Sequence, residues 1–287
     1  MKKYVIVTDS GSDISKEILK KRNIVSLPLS VKFDGCDELS DYDIEPQRFY
    51  KMIKEGNVAK TAAVNYRTFL DKFRSIAERG YDILYLGLSS AISSTYSSAR
   101  AAAISLKKEI PEQEIYTLDS KCASAGLGLL VHLTAEKRDE GKSIMEAYSF
   151  AESLAPRICH RFTVDDLAYL KRGGRISAAS AFFGNMLGIK PLLYVDNGGF
   201  LKSSDKARGR RGAIEALASS YGAFRSKKYS DYIFISHADC YADAVLLDDI
   251  LSQKYGYRAK KIFDIGAVIG AHAGPGTLAL FFVGDTR

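Results

Sequence analysis

The sequence predicts an α/β protein of two domains. Residues 1–155 would form an open, mostly parallel sheet with helices on both faces. Residues 156–287 would form a mixed α/β domain. Three observations carry this prediction. At 287 residues the chain exceeds a typical domain of about 100–200 residues. Short buried strand patterns alternate with helical patterns through the first half, as in a parallel sheet. After Pro156 the pattern changes, and Asp196-Asn197-Gly198-Gly199 gives a strong hairpin signal between two short strand patterns.

The elements follow in order. Residues 4–7 are a short apolar run and read as a buried strand. The polar stretch 8–13 follows, with Ser12 or Asp13 as the N-cap of a helix over 14–21. Residues 24–32 alternate as one strand. Residues 47–55 and 66–78 have helical periodicity. Residues 83–88 read as a buried strand, 94–106 as an Ala-rich helix, 115–118 as a strand and 123–138 as a helix. In the second half, 158–164 is a strand, followed by helices near 166–171 and over 178–187. Strands at 191–195 and 200–203 flank the hairpin turn. Helices are expected around 213–219 and 244–253, and strands at 232–236, 259–264 and 278–283. No internal repeat or low-complexity segment is visible.

Composition sets the outer limits. Hydrophobic residues make up 46% and charged residues 26%, an ordinary globular balance that excludes disordered, collagen-like and mucin-like chains. The net charge of +7 permits an acidic partner or transient contact with an anionic membrane surface. The cysteines at 36, 122, 159 and 240 lie far apart without a CxxC pair, so neither a disulfide framework nor a zinc site is expected. Lys2 and Lys3 resemble the start of an export signal, but Thr8 and Asp9 interrupt the apolar run at once. A cytoplasmic location fits these features. No His spacing suggests a metal.

Several loops could carry chemistry. Residues 88–98, Leu-Ser-Ser-Ala-Ile-Ser-Ser-Thr-Tyr-Ser-Ser, follow a buried strand and open a helix. Hydroxyls and free backbone N–H groups there favour an anion, although the same residues would serve a well-capped helix. A serine nucleophile would need GxSxG or a nearby base, and GxSxG is absent. Asp9 and Ser10 end the first strand, where either helix capping or an active site is common in open sheets. Thr61 lies in a loop and reads as a cap, turn or contact residue. Lys171-Arg172-Gly173-Gly174-Arg175 is a basic glycine loop that could meet phosphate or a partner's carboxylates. The cluster at 206–211 reads as solvated charge. His272 sits in a glycine loop over 266–276, where it could hold a hydroxyl in a chosen tautomer or be structural. His132, His160 and His237 read as packing residues.

Together these segments resemble the DegV family of bacterial fatty-acid-binding proteins. The matches run in family order along nearly the whole chain: Thr8-Asp9-Ser10, Lys60-Thr61, Ser89-Ser90 through Ser93 with Thr95-Tyr96, and Asp119-Ser120. They continue with Val164-Asp165-Asp166-Leu167, Tyr169 through Ile176, Gly188-Ile189-Lys190-Pro191, and Gly270 with His272 and Gly274-Pro275-Gly276. Each is weak alone, and the ordered set is specific. Two places depart from the family pattern. Ala62-Ala63-Val64-Asn65 stands where Ser-Gln-Pro usually follows the threonine, and Ser94 stands where the family has glycine.

The resemblance implies a long-chain fatty acid bound between the domains. Thr61, Ser93 and Ser94 would meet its carboxylate, with His272 in the same network. It also implies a separate kinase subunit that phosphorylates the carboxylate, with Arg175 at the docking or phosphate-handling position. ATP and magnesium would belong to that partner, so this chain would carry no cofactor and would not be an enzyme by itself. At about 0.8 kcal/mol per buried methylene, a long acyl chain offers on the order of 10 kcal/mol before immobilisation costs. Neutral hydroxyls and one helix end then suffice for the head group. Two other readings stay open: an enzyme acting on a small phosphorylated or carboxylated metabolite, and a nucleic-acid binder using the basic clusters. The last lacks any recognition-helix or RNP motif. A long apolar tunnel favours the lipid reading, and a short polar cleft favours the metabolite enzyme.

Overall fold

A computed structural model describes residues 3–176 and 188–287 of the chain. The helix expected over 178–187 lies outside the described residues. The first stretch contains β1 (Tyr4–Asp9), α1 (Lys16–Lys21), β2 (Ile24–Leu27), β3 (Ser30–Phe33), β4 (Leu39–Ser40) and α2 (Pro46–Lys54). It continues with β5 (Ala59–Ala62), α3 (Tyr66–Ala77), β6 (Asp82–Gly87), α4 (Thr95–Glu109), β7 (Ile115–Asp119), α5 (Ala125–Asp139) and α6 (Ile144–Leu154). After a 3-10 turn at Ala155–Arg157 come β8 (Ile158–Thr163), α7 (Ala168–Arg172), β9 (Ile189–Val195), β10 (Leu201–Arg208) and α8 (Gly209–Phe224). The chain closes with β11 (Ile233–His237), α9 (Tyr241–Tyr255), β12 (Lys261–Asp264), α10 (Ala267–Ala273) and β13 (Leu278–Val283).

The first sheet has the order β2-β1-β6-β7 and is parallel throughout. Every residue of β1 and β6 is buried, which is why their centres, residues 4–7 and 83–86, read as continuous apolar runs. Helices α3 and α4 pack as one pair against this sheet, and α5 and α6 as another. The second sheet has the order β10-β9-β8-β13-β11-β12, antiparallel except for the β11–β12 pair. The expected hairpin joins β9 to β10, with Gly199 at φ 85°. Helix α5 packs against strands of both sheets. It is buried almost all round from Ala125 to Ala135, which its apolar sequence requires. The α/β class and the contrast between a parallel and a mixed sheet are those the sequence predicts.

Five local expectations need correction. Residues 24–32 form two strands, not one. Pro28 interrupts the ladder, and the Leu29 N–H turns to the Ser10 Oγ at 3.0 Å. β3 therefore joins a small antiparallel sheet, β4-β3-β5, and Thr61 lies in its strand β5 instead of a loop. The first helix is capped by Ser15, whose Oγ accepts from the Ile18 N–H, instead of by Ser12 or Asp13. Asp13 takes a left-handed conformation at the end of a 3-10 turn. Helix α6 was not anticipated, although Ser143 and Glu146 form a complete capping box. The glycine-rich stretch near 266–276 contains helix α10. Glycine costs about 1 kcal/mol inside a helix relative to alanine, and packing overrides it here.

Candidate functional site

A cavity of about 240 Å³ lies where loops at the carboxyl ends of the first sheet meet the second sheet and α10. Thr61, Ser93, Ser94, Arg175 and His272, the five residues singled out from the sequence, all line it. Its other walls are mainly apolar, with Leu88, Ile92, Phe162, Leu170, Ile269 and Phe281 among them. Ser94 and Ala62 are exposed at one end, whereas Ser124, His160 and Phe281 are buried at the other. The five residues singled out from the sequence are exposed or half-buried and mark a mouth, while the buried lining is mainly apolar but includes the polar Ser124 and His160.

His272 stands in the last turn of α10, and several contacts fix that helix. Asp41 Oδ1 accepts from the Val268 N–H at 3.0 Å, and Asp13 Oδ1 accepts from the Gly266 N–H at 3.0 Å. These satisfy donors at the helix start that otherwise lack partners. At Gly270 a Cβ would stand 2.4 Å from the Tyr50 hydroxyl, so only glycine lets α10 approach α2 this closely. That hydroxyl donates to the Ile265 carbonyl at 2.8 Å.

The His272 ring is held on both edges. Its Nε2 lies 2.8 Å from Thr61 Oγ1. Its Nδ1 is buried without a hydrogen-bond partner. A Cβ at Gly173 would sit 2.2 Å from that Nδ1, so the glycine loop is pressed against the ring. Burial, and then the nearby Arg175 charge, pull the His272 pKa down to about 4. The ring is therefore neutral at pH 7. If Nε2 carries the proton, it donates to Thr61 Oγ1 and leaves the threonine O–H free to donate into the cavity. The other tautomer would bury an unpaired Nδ1–H donor.

The serine loop supplies the opposite side. Ser93 Oγ lies 2.9 Å from Thr95 Oγ1 and accepts from the Thr95 N–H at 3.3 Å. Ser94 occupies the N-cap position of α4, but its side chain makes no cap hydrogen bond. The start of this 15-residue helix, with its partial positive charge, faces the mouth. The loop is braced from below. Asp9 accepts from the Leu88 N–H at 3.0 Å and from the Tyr85 hydroxyl at 2.7 Å. Asp119 accepts from the Ser90 N–H at 3.1 Å. Asp9 and Ser10 thus cap and brace and do not line the cavity. Burial raises the Asp9 pKa to about 6.

Arg175 crosses the mouth. Its Nε donates to the Ile92 carbonyl at 3.0 Å, and its Nη1 donates to the Gly173 carbonyl. Among the described residues it has no carboxylate partner. Burial lowers its pKa from the usual arginine value. The second basic cluster is elsewhere: Arg210 pairs with Asp243 at 2.8 Å. His160 packs as expected and also lines the cavity. Its Nε2 accepts from the Ala123 N–H at 3.1 Å, and its Nδ1 pairs with the Ile158 carbonyl at 3.0 Å. His132 and His237 lie off the cavity. Ser124 lines the inner end and was missed, because a lone serine before a helix carries no distinguishing signal. Ala62 and Ala63 line the mouth, while Asn65 caps α3 through the Thr68 N–H at 2.9 Å. Among the described residues, no three His, Cys, Asp or Glu side chains form a metal-holding group, and no helix is long and apolar enough to cross a membrane.

Comparison with known proteins places relatives beside this geometry. Residues 3–285 match a family described as "Uncharacterised protein, DegV family". A DegV domain-containing protein of Clostridium perfringens is 41% identical, covering 100% of this chain and 99% of its own. The crystal structure of a DegV lipid-binding protein from Thermotoga maritima is 31% identical and superimposes with a TM-score of 0.85, covering 99% of each chain. A stearic-acid-binding protein from Eubacterium ventriosum is 25% identical, with a TM-score of 0.87 over 98% of each chain.

Proposed function

The chain belongs to the DegV family, and from that premise we propose that it binds a long-chain fatty acid and presents the carboxylate to a partner kinase. The carrying observation is the Thr61–His272 pair at the mouth of an apolar cavity. The carboxylate meets the Thr61 and Ser93 hydroxyls and the positive start of α4, with Ser94 at the rim. The neutral His272 directs the Thr61 proton toward it. The acyl chain runs inward between the unit of residues 1–155 and that of residues 156–287.

The cavity is smaller than the roughly 300–1,000 Å³ of sites that enclose drug-sized ligands. A long chain therefore needs its walls to part, and Leu, Ile and Phe side chains do so by changing rotamer. Arg175 guards the mouth without a carboxylate partner among the described residues, which suits it to an acyl phosphate or a docking kinase. ATP chemistry then belongs to the partner, the present chain needs no cofactor, and both work in the bacterial cytoplasm. A transient touch on an anionic membrane would load the acid, and nucleic acid plays no part.

The metabolite-enzyme alternative finds less support. Thr61 and His272 resemble a nucleophile and base, but His272 Nδ1 faces Gly173 and lacks the orienting group such pairs use. The apolar lining also weighs against a small polar substrate. Titration of the purified, delipidated protein with fatty acids tests the proposal. Saturable one-to-one binding of a long-chain acid supports it. Binding of short polar acids with no preference for a chain overturns it.

A further inference from the structure

The inner end of the cavity differs from its side walls. Residues that line it hydrogen-bond directly to residues that line a second cavity of about 830 Å³, and these paired residues form the layer between the two. Three hydrogen bonds cross that layer, each with one partner facing each cavity. Ser124 Oγ and Asp13 Oδ2 are hydrogen-bonded at 2.5 Å, the Leu29 N–H donates to Ser10 Oγ at 3.0 Å, and the Val268 N–H donates to Asp41 Oδ1 at 3.0 Å. Ser236 Oγ lies 3.0 Å from Ser124 Oγ and ties the second sheet to the same layer. A polar layer of this kind resists displacement by an apolar chain, because each broken bond strands a buried donor or acceptor.

Of the three residues that bond across this layer from the first cavity, Ser124 does so through its side chain, and Leu29 and Val268 through backbone N–H groups. The Ser124 backbone sits at φ 53° and ψ −149°, close to a region that is essentially reserved for glycine. A serine held there is strained, and glycine would fit the backbone better. The side chain makes no cap hydrogen bond to α5. What its hydroxyl does is bond Asp13 and Ser236 at the floor of the cavity.

We infer that Ser124, backed by Asp13, is the stop that sets how long an acyl chain the site accepts. This rests on the first cavity taking an acyl chain. The side walls yield by rotamer change, whereas the floor is fixed by hydrogen bonds, so the last methyl of a bound chain ends against Ser124. Removing its side chain opens room toward the second cavity.

The test is a series of saturated fatty acids of increasing length, titrated into the delipidated wild-type protein, Ser124→Gly and Ser124→Asn. Glycine relieves the backbone, and asparagine tolerates positive φ better than most residues, so each variant has a local reason to fold. For Ser124→Gly, affinity for the acid just beyond the wild-type length limit rises about fourfold for each added methylene accommodated, while shorter acids change little. For Ser124→Asn, the length limit moves to shorter acids. A wild-type length limit that neither variant shifts overturns the role of Ser124. A wild-type protein that binds no acid of any length overturns instead the fatty-acid reading on which it rests.

Discussion

Replacing Thr61 by valine removes one hydroxyl and keeps the branched shape that strand β5 favours. In the structure that hydroxyl lies 2.8 Å from His272 Nε2. In the proposed complex it also donates to the ligand carboxylate. A hydrogen bond to a charged group contributes about 1.5–3 kcal/mol, so Thr61→Val should weaken fatty-acid binding by roughly 10- to 150-fold. The histidine then has neither ring nitrogen paired, since Nδ1 already lacks a partner. Unfolding stability should fall as well, by about 1–3 kcal/mol for the stranded group. Calorimetric titration well below the melting temperature separates the two effects. If His272 acts through Thr61, the double variant Thr61→Val/His272→Ala loses little more affinity than Thr61→Val alone, because coupled residues are not additive. Wild-type affinity in a well-folded Thr61→Val protein, or fully additive losses in the double variant, would refute the relay.

Three further outcomes follow from the same geometry. Ser93→Ala should weaken binding of the acid by roughly 1–3 kcal/mol, measured by the same titration; unchanged affinity removes its hydroxyl from the head-group site. Arg175→Ala should leave fatty-acid affinity within about twofold, a difference of roughly 0.4 kcal/mol, yet impair phosphorylation by a fatty acid kinase with ATP. Loss of acid binding instead would place the guanidinium on the carboxylate. The pH dependence is also specific. Burial raises the Asp13 pKa to about 8, so the folded state holds a proton there that the unfolded chain releases near pH 4. His272, lowered to about 4, acts with the opposite sign, and only below about pH 6.5. Between pH 6.5 and 8 Asp13 therefore makes stability fall as pH rises, by up to about 1.4 kcal/mol per unit at the lower end and about half that near pH 8. Denaturant melts across that window should show the slope in the wild type and a flatter profile in Asp13→Asn. Equal slopes would mean that Asp13 is ionised when folded.

Much of the fold was legible because its signals are local. β1 and β6 each contain a short apolar run, residues 4–7 and 83–86, bounded by polar residues, and the Asp-Asn-Gly-Gly turn specifies its hairpin by backbone conformation alone. The mouth residues were legible as an ordered set of motifs. What escaped depends on distant partners. Strand β5 exists because β3 pairs with it, and Pro28 separates β3 from β2 by a signal easily read as a minor irregularity. Helix α10 runs through glycines that argue against a helix. It forms because Asp13 and Asp41, more than 220 residues earlier, cap its start and Tyr50 packs against Gly270. Ser124 reveals itself only through its backbone angles and its place between two cavities.

The central claim is that this cavity holds a fatty acid by its carboxylate. Denaturing extraction of the freshly purified protein, followed by mass spectrometry of the released small molecules, tests it most directly. The account predicts close to one long-chain fatty acid per chain, and a marked loss of it from Thr61→Val. A protein that releases no lipid and takes up no added fatty acid would contradict it.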